Sequence, residues 1–166
     1  AAAMRSGHMD INRMAVGAVE NLGAAVATGG VRTPVSSTRI AHAVRLVLRA
    51  ENVEQALISV ALLNARAMAT MNRLHLGHRG PTDVISFGFG AAEGTGVVGD
   101  IYVCPSVARQ NAKVHRCGVR EELLRLVVHG VLHVLGHDHP VDERREHSAM
   151  WKRQEQLLVR VLARTA

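Results

Sequence analysis

Along the chain the apolar residues recur with two different periods, and the switches between them sketch the elements. In "SSTRIAHAVRLVLRAENV" the positions Ile40, Val44, Leu46, Val47 and Leu48 fall at helical spacing. Ser36 or Ser37 stands where a hydroxyl can cap the first free N–H groups, so an amphipathic helix follows. The next run, "QALISVALL", is short and apolar enough for a buried strand, although its length alone leaves a helix open. Residues 64 to 75 read as helical. "PTDVISFGF" and "VVGDIYVC" are strand-like, and the Gly-laden "GFGAAEGTGVVGD" predicts that they pair across a long loop. Pro105 suits the first turn of a helix through "SVARQNAKVHR". "REELLRLVVHGVLHVL" then holds a strong helical period until Gly136 stops it. After Pro140 the stretch "DERREHSAMWKRQEQLLVRVLARTA" resumes as a charged amphipathic helix with Met150, Leu157, Leu158, Val161 and Leu162 inward. The sum is an α+β fold, a small mixed β-sheet packed with several α-helices.

At 166 residues the chain fits one domain with a core of its own. No repeat or internal linker divides it, so residues 31–166 form a single domain and residues 1–30 stay unassigned. The opening "AAAMRSGHMD" holds a Gly-His-Met run of the kind expression vectors leave. The weakly apolar "MAVGAVENLGAAVATGG" is broken by Glu20 and Asn21, so it reads as neither a secretory segment nor a membrane span. A cytoplasmic protein without a membrane partner is the expectation. Aromatics are only 2% of the chain, which leaves Leu, Val, Ile and Met to fill the interior. Lys plus Arg exceed Asp plus Glu by 20 to 14, a balance that favours a polyanion such as RNA. Only Lys113 and Lys152 are lysines, and coding bias in a GC-rich genome would give the same arginine-heavy balance. Arg109, Arg116 and Arg120 fall near one another; they could track phosphates, but a solvated helix face is the commoner meaning. Cys104 and Cys117 make no zinc spacing and read as core or near-surface thiols.

The stretch "HGVLHVLGHDH" puts four of the ten histidines into a few turns of chain. His129 and His133 are four apart in a helical pattern, so both rings leave one face and can chelate one ion. Gly136 can take the left-handed conformation that ends a helix and turns the chain back, which lets His139 supply a third nitrogen. Three histidines with an open position describe a catalytic zinc site, with one Zn2+ per chain, better than a structural one. A divalent ion held by neutral imidazoles lowers the pKa of water from about 15.7 to about 7. His137 points elsewhere, as a surface or substrate-side group, and Asp138 orients a ligand histidine from behind. The spacing matches metzincin proteases, but Gly130 stands where those carry the Glu that acts as base. A metalloprotease is therefore the weaker reading.

With His129, Gly130, Leu132, His133, Gly136, Asp138 and His139 in view, the chain resembles the YbeY family of bacterial endoribonucleases and rRNA-maturation factors. Asn72 with Pro81, Thr82, Asp83, Val84, Ile85, Ser86 and Phe87 matches a second family block, and Gly99, Asp100 and Ile101 a third. The likeness runs from about residue 36 to the C-terminus. It implies a zinc-dependent endoribonuclease acting on single-stranded RNA near the 3′ end of 16S rRNA, in ribosome assembly and rRNA quality control. His129, His133 and His139 are then the expected ligands, and the small ribosomal subunit and the GTPase Era the expected partners. Many members place an RNA-contacting arginine where this chain has Leu76; Arg73 or Arg79 could deliver that charge. Asp83 and His137 are the other substrate-side candidates, and Asp138 joins the three histidines as a candidate catalytic group. Two other functions stay open: an assembly factor whose zinc only holds the fold, and the protease.

Overall fold

A computed structural model of the chain describes residues 21–92 and 96–164; the Gly-His-Met stretch lies outside the described residues. In chain order the elements are β1 (Asn21–Ala27), α1 (Ser37–Ala50), β2 (Gln55–Leu62), α2 (Ala65–Leu76), β3 (Val84–Ala92), β4 (Gly96–Val103), α3 (Pro105–Val114), α4 (Val119–Val134) and α5 (Ala149–Ala163). A 3-10 turn over Glu143–His147 precedes α5. The strands form one mixed sheet in the order β1-β2-β4-β3, with β1, β2 and β4 parallel and β3 antiparallel at the edge. This is the α+β arrangement that the periodicity predicts.

Local chemistry sets most boundaries. Ser36 caps α1 by accepting the Arg39 N–H, which decides between the two serines. Asn64 does the same for α2 through the Ala67 N–H, and Gly77 ends that helix at φ 67°. Alternate residues of β2, Ala56, Ile58, Val60 and Leu62, are buried, as one covered sheet face requires. Leu57, between them, is exposed. Cys104 is buried and Cys117 partly so, and both are free thiols.

Three elements differ from expectation. Strand β1 arises from residues left unassigned: Leu22 is buried while Ala24 and Val26 pack against the core. Gly23 and three alanines dilute its alternation below a readable signal. The β3–β4 connection is short, because the Gly-rich stretch runs largely within the strands. Their ladder continues to Ala92↔Gly96 past a bulge between Gly88 and Ala91, where Gly90 adopts φ 74°. Glycines mark bulges as well as loops. Last, α5 begins at Ala149 rather than just after Pro140. Asp142 caps the short 3-10 turn and Ser148 accepts the Trp151 N–H to start the longer helix.

Helix α4 is the hub. It packs on β3 and β4 and touches α1, α3 and α5, and it is buried from Glu122 to Leu132 apart from Arg125. Its close approach to the sheet depends on missing side chains. A Cβ on Gly130 would lie 2.7 Å from Cγ2 of Ile101, and one on Gly99 would lie 2.5 Å and 2.7 Å from the Val134 methyls and 2.9 Å from the Phe87 carbonyl oxygen. The glycine that replaces a protease-type glutamate is therefore a packing position against β4, with no room for a longer side chain. Gly99→Ala is expected to destabilise the fold by about 1–3 kcal/mol through overpacking. Urea unfolding of the two proteins checks this, with an unchanged midpoint as the contrary result.

Candidate metal centre

The three predicted ligands meet. His129 and His133 leave one face of α4 a turn apart, with ring centroids 4.6 Å from each other. The helix then closes with both hydrogen bonds of a Schellman turn: Gly136 N–H to the His133 carbonyl and His137 N–H to the Leu132 carbonyl, each at 3.0 Å. Gly136 holds φ 94°, a conformation glycine adopts without a Cβ clash. The reversal carries His139 back to 5.1 Å and 5.0 Å from the other two rings. One ligand nitrogen from each residue lies within 4.8 Å of the others.

Hydrogen bonding fixes which nitrogens face inward. Nδ1 of His129 is 2.7 Å from Oε1 of Gln154, Nδ1 of His133 is 3.0 Å from the His137 carbonyl, and Nδ1 of His139 is 2.7 Å from the Pro140 carbonyl. Each partner is an acceptor, so each Nδ1 donates and Nε2 is the nitrogen left to face a metal ion. The Nε2 atoms of His133 and His139 stand 3.2 Å apart. Two bare lone pairs at that distance repel. Imidazole nitrogens on one tetrahedral zinc, at about 2.0–2.1 Å each, stand about 3.3–3.4 Å apart, so the donor set fits a divalent cation.

Electrostatics agree. His129 is 5% exposed, and burial pushes its pKa down to about 3 against the opposing hydrogen bond to Gln154, with the neighbouring His133 and Arg145 adding to the fall. Burial also lowers His133, helped by His139. Both rings are thus neutral near pH 7, as metal ligation demands.

The cluster opens into a cleft of roughly 440 Å3 walled by Leu76, the first residues of β3 (Asp83 to Ser86), Val141 and Arg145. A second cavity, of about 270 Å3, lies behind it and shares Asp83, His129 and Arg145 as wall. The remaining predicted site residues are placed as follows. Asp83 lines the cleft, but its carboxylate also has structural work: it accepts the Val84 N–H at 2.7 Å and the Asn111 amide at 2.9 Å. Asp138 is exposed and accepts the backbone N–H of His139 at 2.8 Å, so it braces the turn through the main chain rather than through a ring. His137 points away from the cluster, with Nε2 3.0 Å from Oε2 of Glu51. Arg73 and Arg79 are exposed at the end of α2 and in the loop beyond it, and neither lines the cleft. The same holds for Arg109, Arg116 and Arg120.

The sequence reading missed the residues that hold the ligands. Gln154 was detectable in principle: it sits in the apolar stripe of α5 between Met150 and Leu157, and a polar residue in a buried register must find a partner. Glu51 carried no such signal. Its carboxylate takes His137 on one oxygen and Nε of Arg153 on the other, at 2.6 Å, tying the metal loop to the end of α1 and to α5. Burial would raise its pKa, but the bonds to Arg153 and His137 outweigh that and hold it low.

An α+β domain that gathers three imidazoles at the mouth of an open cleft has the architecture of a metal-dependent hydrolase. Comparison with known proteins narrows the class. The family model described as "Endoribonuclease YbeY" matches residues 30–161. Proteins named Endoribonuclease YbeY are 39% identical over 146 residues in Frankia casuarinae (80% of this chain, 71% of the relative) and 37% identical over 140 residues in Kineococcus radiotolerans (78% and 79%). A solution structure of TM1509 from Thermotoga maritima shares the fold, with a TM-score of 0.58 at 23% identity over 85% of this chain and 90% of that one. The chain belongs to the YbeY endoribonuclease family. No helix among the described residues is long and apolar enough to cross a membrane.

Gln154→Leu is expected to lower metal affinity by about 10–100-fold, because the His129 ring loses the acceptor that fixes its tautomer. Competition with a chromophoric chelator measures this. The lowered histidines also give a pH signature. As pH falls through about 6.5 the unfolded chain takes up protons that folded His129 refuses, so stability falls below about pH 6.5 and gains nothing from this group above it. The melting temperature of metal-free protein should drop between about pH 7 and about pH 5; a flat profile there would contradict the burial of His129.

Proposed function

We propose that the protein is a zinc-dependent, single-strand-specific endoribonuclease that acts on the 3′ end of 16S rRNA during ribosome assembly and rRNA quality control. One observation carries the reading: three Nε2 lone pairs converge beside an open cleft while all three Nδ1 atoms are held from behind. Membership of the YbeY family supports RNA as the substrate. The small ribosomal subunit and the GTPase Era are the partners that the family resemblance implies, and the cytoplasm is the matching location.

His129, His133 and His139 would hold the ion. Bound there, a divalent cation supplies Lewis acidity, which acidifies water and offsets charge on phosphoryl oxygens. The chain's own residues do the rest. Gln154 and the carbonyls of His137 and Pro140 keep the rings in one tautomer and one orientation. Edge strand β3 runs along the cleft from Val84, and its open side offers backbone groups to an extended strand but no register for a second one. Asp83 and Asn111 brace the start of that wall. Leu76, 47% exposed at the rim, offers an apolar surface for a base rather than a charge for a phosphate.

The test is His139→Ala. It removes the ligand contributed by the turn and leaves α4 intact, so cleavage of single-stranded RNA should fall to background while circular dichroism retains the helical signal. Elemental analysis of wild-type protein purified without added metal should find about one zinc per chain. Undiminished cleavage by the variant would reject the catalytic role of this cluster, and metal present without any wild-type cleavage would favour a fold-holding ion.

A further inference from the structure

Among the described residues Arg145 is the one lysine or arginine that lines the cleft of the histidine cluster, and its situation differs from that of the arginines around it. Arg125, Arg144 and Arg153 each rest on a carboxylate: Glu122, Glu121 and Glu155 for the first, Asp142 for the second, Glu51 for the third. Among the described residues no carboxylate pairs with Arg145, and its Nε is buried without a hydrogen-bond partner. The guanidinium carbon instead lies 5.7 Å from the ring centroid of Trp151, which supports the plane of the fork without neutralising it. Backbone bonds fix the turn beneath: Arg145 N–H to the Asp142 carbonyl, and the Ser148 N–H and hydroxyl to the Arg145 carbonyl.

A permanently charged guanidinium beside a site suited to a divalent cation is an electrostatic conflict. Like charges sharing a partly desolvated cleft repel, and a donor buried without an acceptor costs free energy. The repulsion is relieved by one event, the arrival of an anion between the two positive groups, bound through the outer nitrogens of the guanidinium. A phosphodiester meets that need, since its two free oxygens match the fork of a guanidinium. Leu76 and Val141 are the uncharged part of the rim, and the Asp83 carboxylate in the same wall is occupied by the Val84 N–H and the Asn111 amide.

We propose that Arg145 is the phosphate-binding residue of this site, held by Trp151 and the Asp142–Ser148 turn so that its guanidinium takes a backbone phosphate of the RNA strand lying in the cleft. The proposal rests on the endoribonuclease reading above. The second cavity also has Arg145 and Trp151 in its wall, so the guanidinium stands between two spaces.

Fluorescence anisotropy with a short labelled single-stranded RNA tests it, in chelator so that the strand stays intact. Arg145→Ala should weaken binding roughly tenfold or more, as loss of a charged hydrogen bond does. It should also reduce the slope of log affinity against log salt by about 0.7, the value for one phosphate contact on a single strand. Arg145→Lys keeps the charge and should restore the slope with only part of the affinity. Arg144→Ala removes the same formal charge from the same turn, but from a guanidinium already occupied by Asp142, and should stay within about twofold of wild type. Wild-type affinity and slope in Arg145→Ala, or an equal loss in Arg144→Ala, would overturn the assignment. Wild-type protein that neither binds the strand in chelator nor cuts it when loaded with metal would instead sink the endoribonuclease reading, so the two failures are distinguishable.

Discussion

Three hydrogen bonds to Nδ1 decide what this molecule can hold. An imidazole is symmetric enough to bind a metal through either nitrogen, and a free ring exchanges tautomers and rotates. Here Gln154 and two backbone carbonyls claim one nitrogen of each ring, and the other three have nowhere to point but toward one another. The convergence is costly without a cation, because neutral lone pairs face each other at 3.2 Å. The fold tolerates that cost since every element around the site is anchored elsewhere: α4 in the core, the turn on Glu51, and α5 on the ion pairs of Arg125 with Glu155 and of Arg153 with Glu51.

The core explains why the ligand helix is so well fixed. Helix α4 lies against the sheet at glycine positions, where backbone approaches backbone or an aliphatic side chain without an intervening Cβ. Close packing removes the slack that would let His129 and His133 drift, at the expense of any side chain at Gly130. A fold that needs a glycine there has no place for a carboxylate base at the same point. Its chemistry must therefore differ from that of a protease with the same histidine spacing.

Much of this was legible in the sequence wherever the signal was local. The i, i+4 pair, the helix-ending glycine and the third histidine lie in one short stretch, and each step rests on backbone geometry that neighbouring residues determine. The cap at Ser36 and the stripe of α5 are local too, whereas the cap at Ser148 went unread inside a charged run. What escaped reading depends on distance or on weak contrast. Gln154 meets His129 across 25 positions, Glu51 meets His137 across 86, and no periodicity encodes such meetings. Strand β1 is built from small residues whose alternation is faint, and the β3–β4 glycines signal a loop and a bulge equally well. Arg145 was hidden inside a charged run that reads as a solvated helix face until the 3-10 turn and the Trp151 contact single it out.

The Schellman turn at Gly136 has one further consequence, for the order in which the site can assemble. Because the chain doubles back at once, all three candidate ligands and two of their three acceptors occur between His129 and Pro140. A nascent polypeptide that has emerged only to Pro140 already contains the whole donor set, and closing so short a loop forfeits little chain entropy. What the C-terminal helix brings later is a single amide, Gln154, which fastens the innermost ring. The candidate donor set is encoded in one contiguous peptide, and helix α5, which follows it in the chain, serves as the latch.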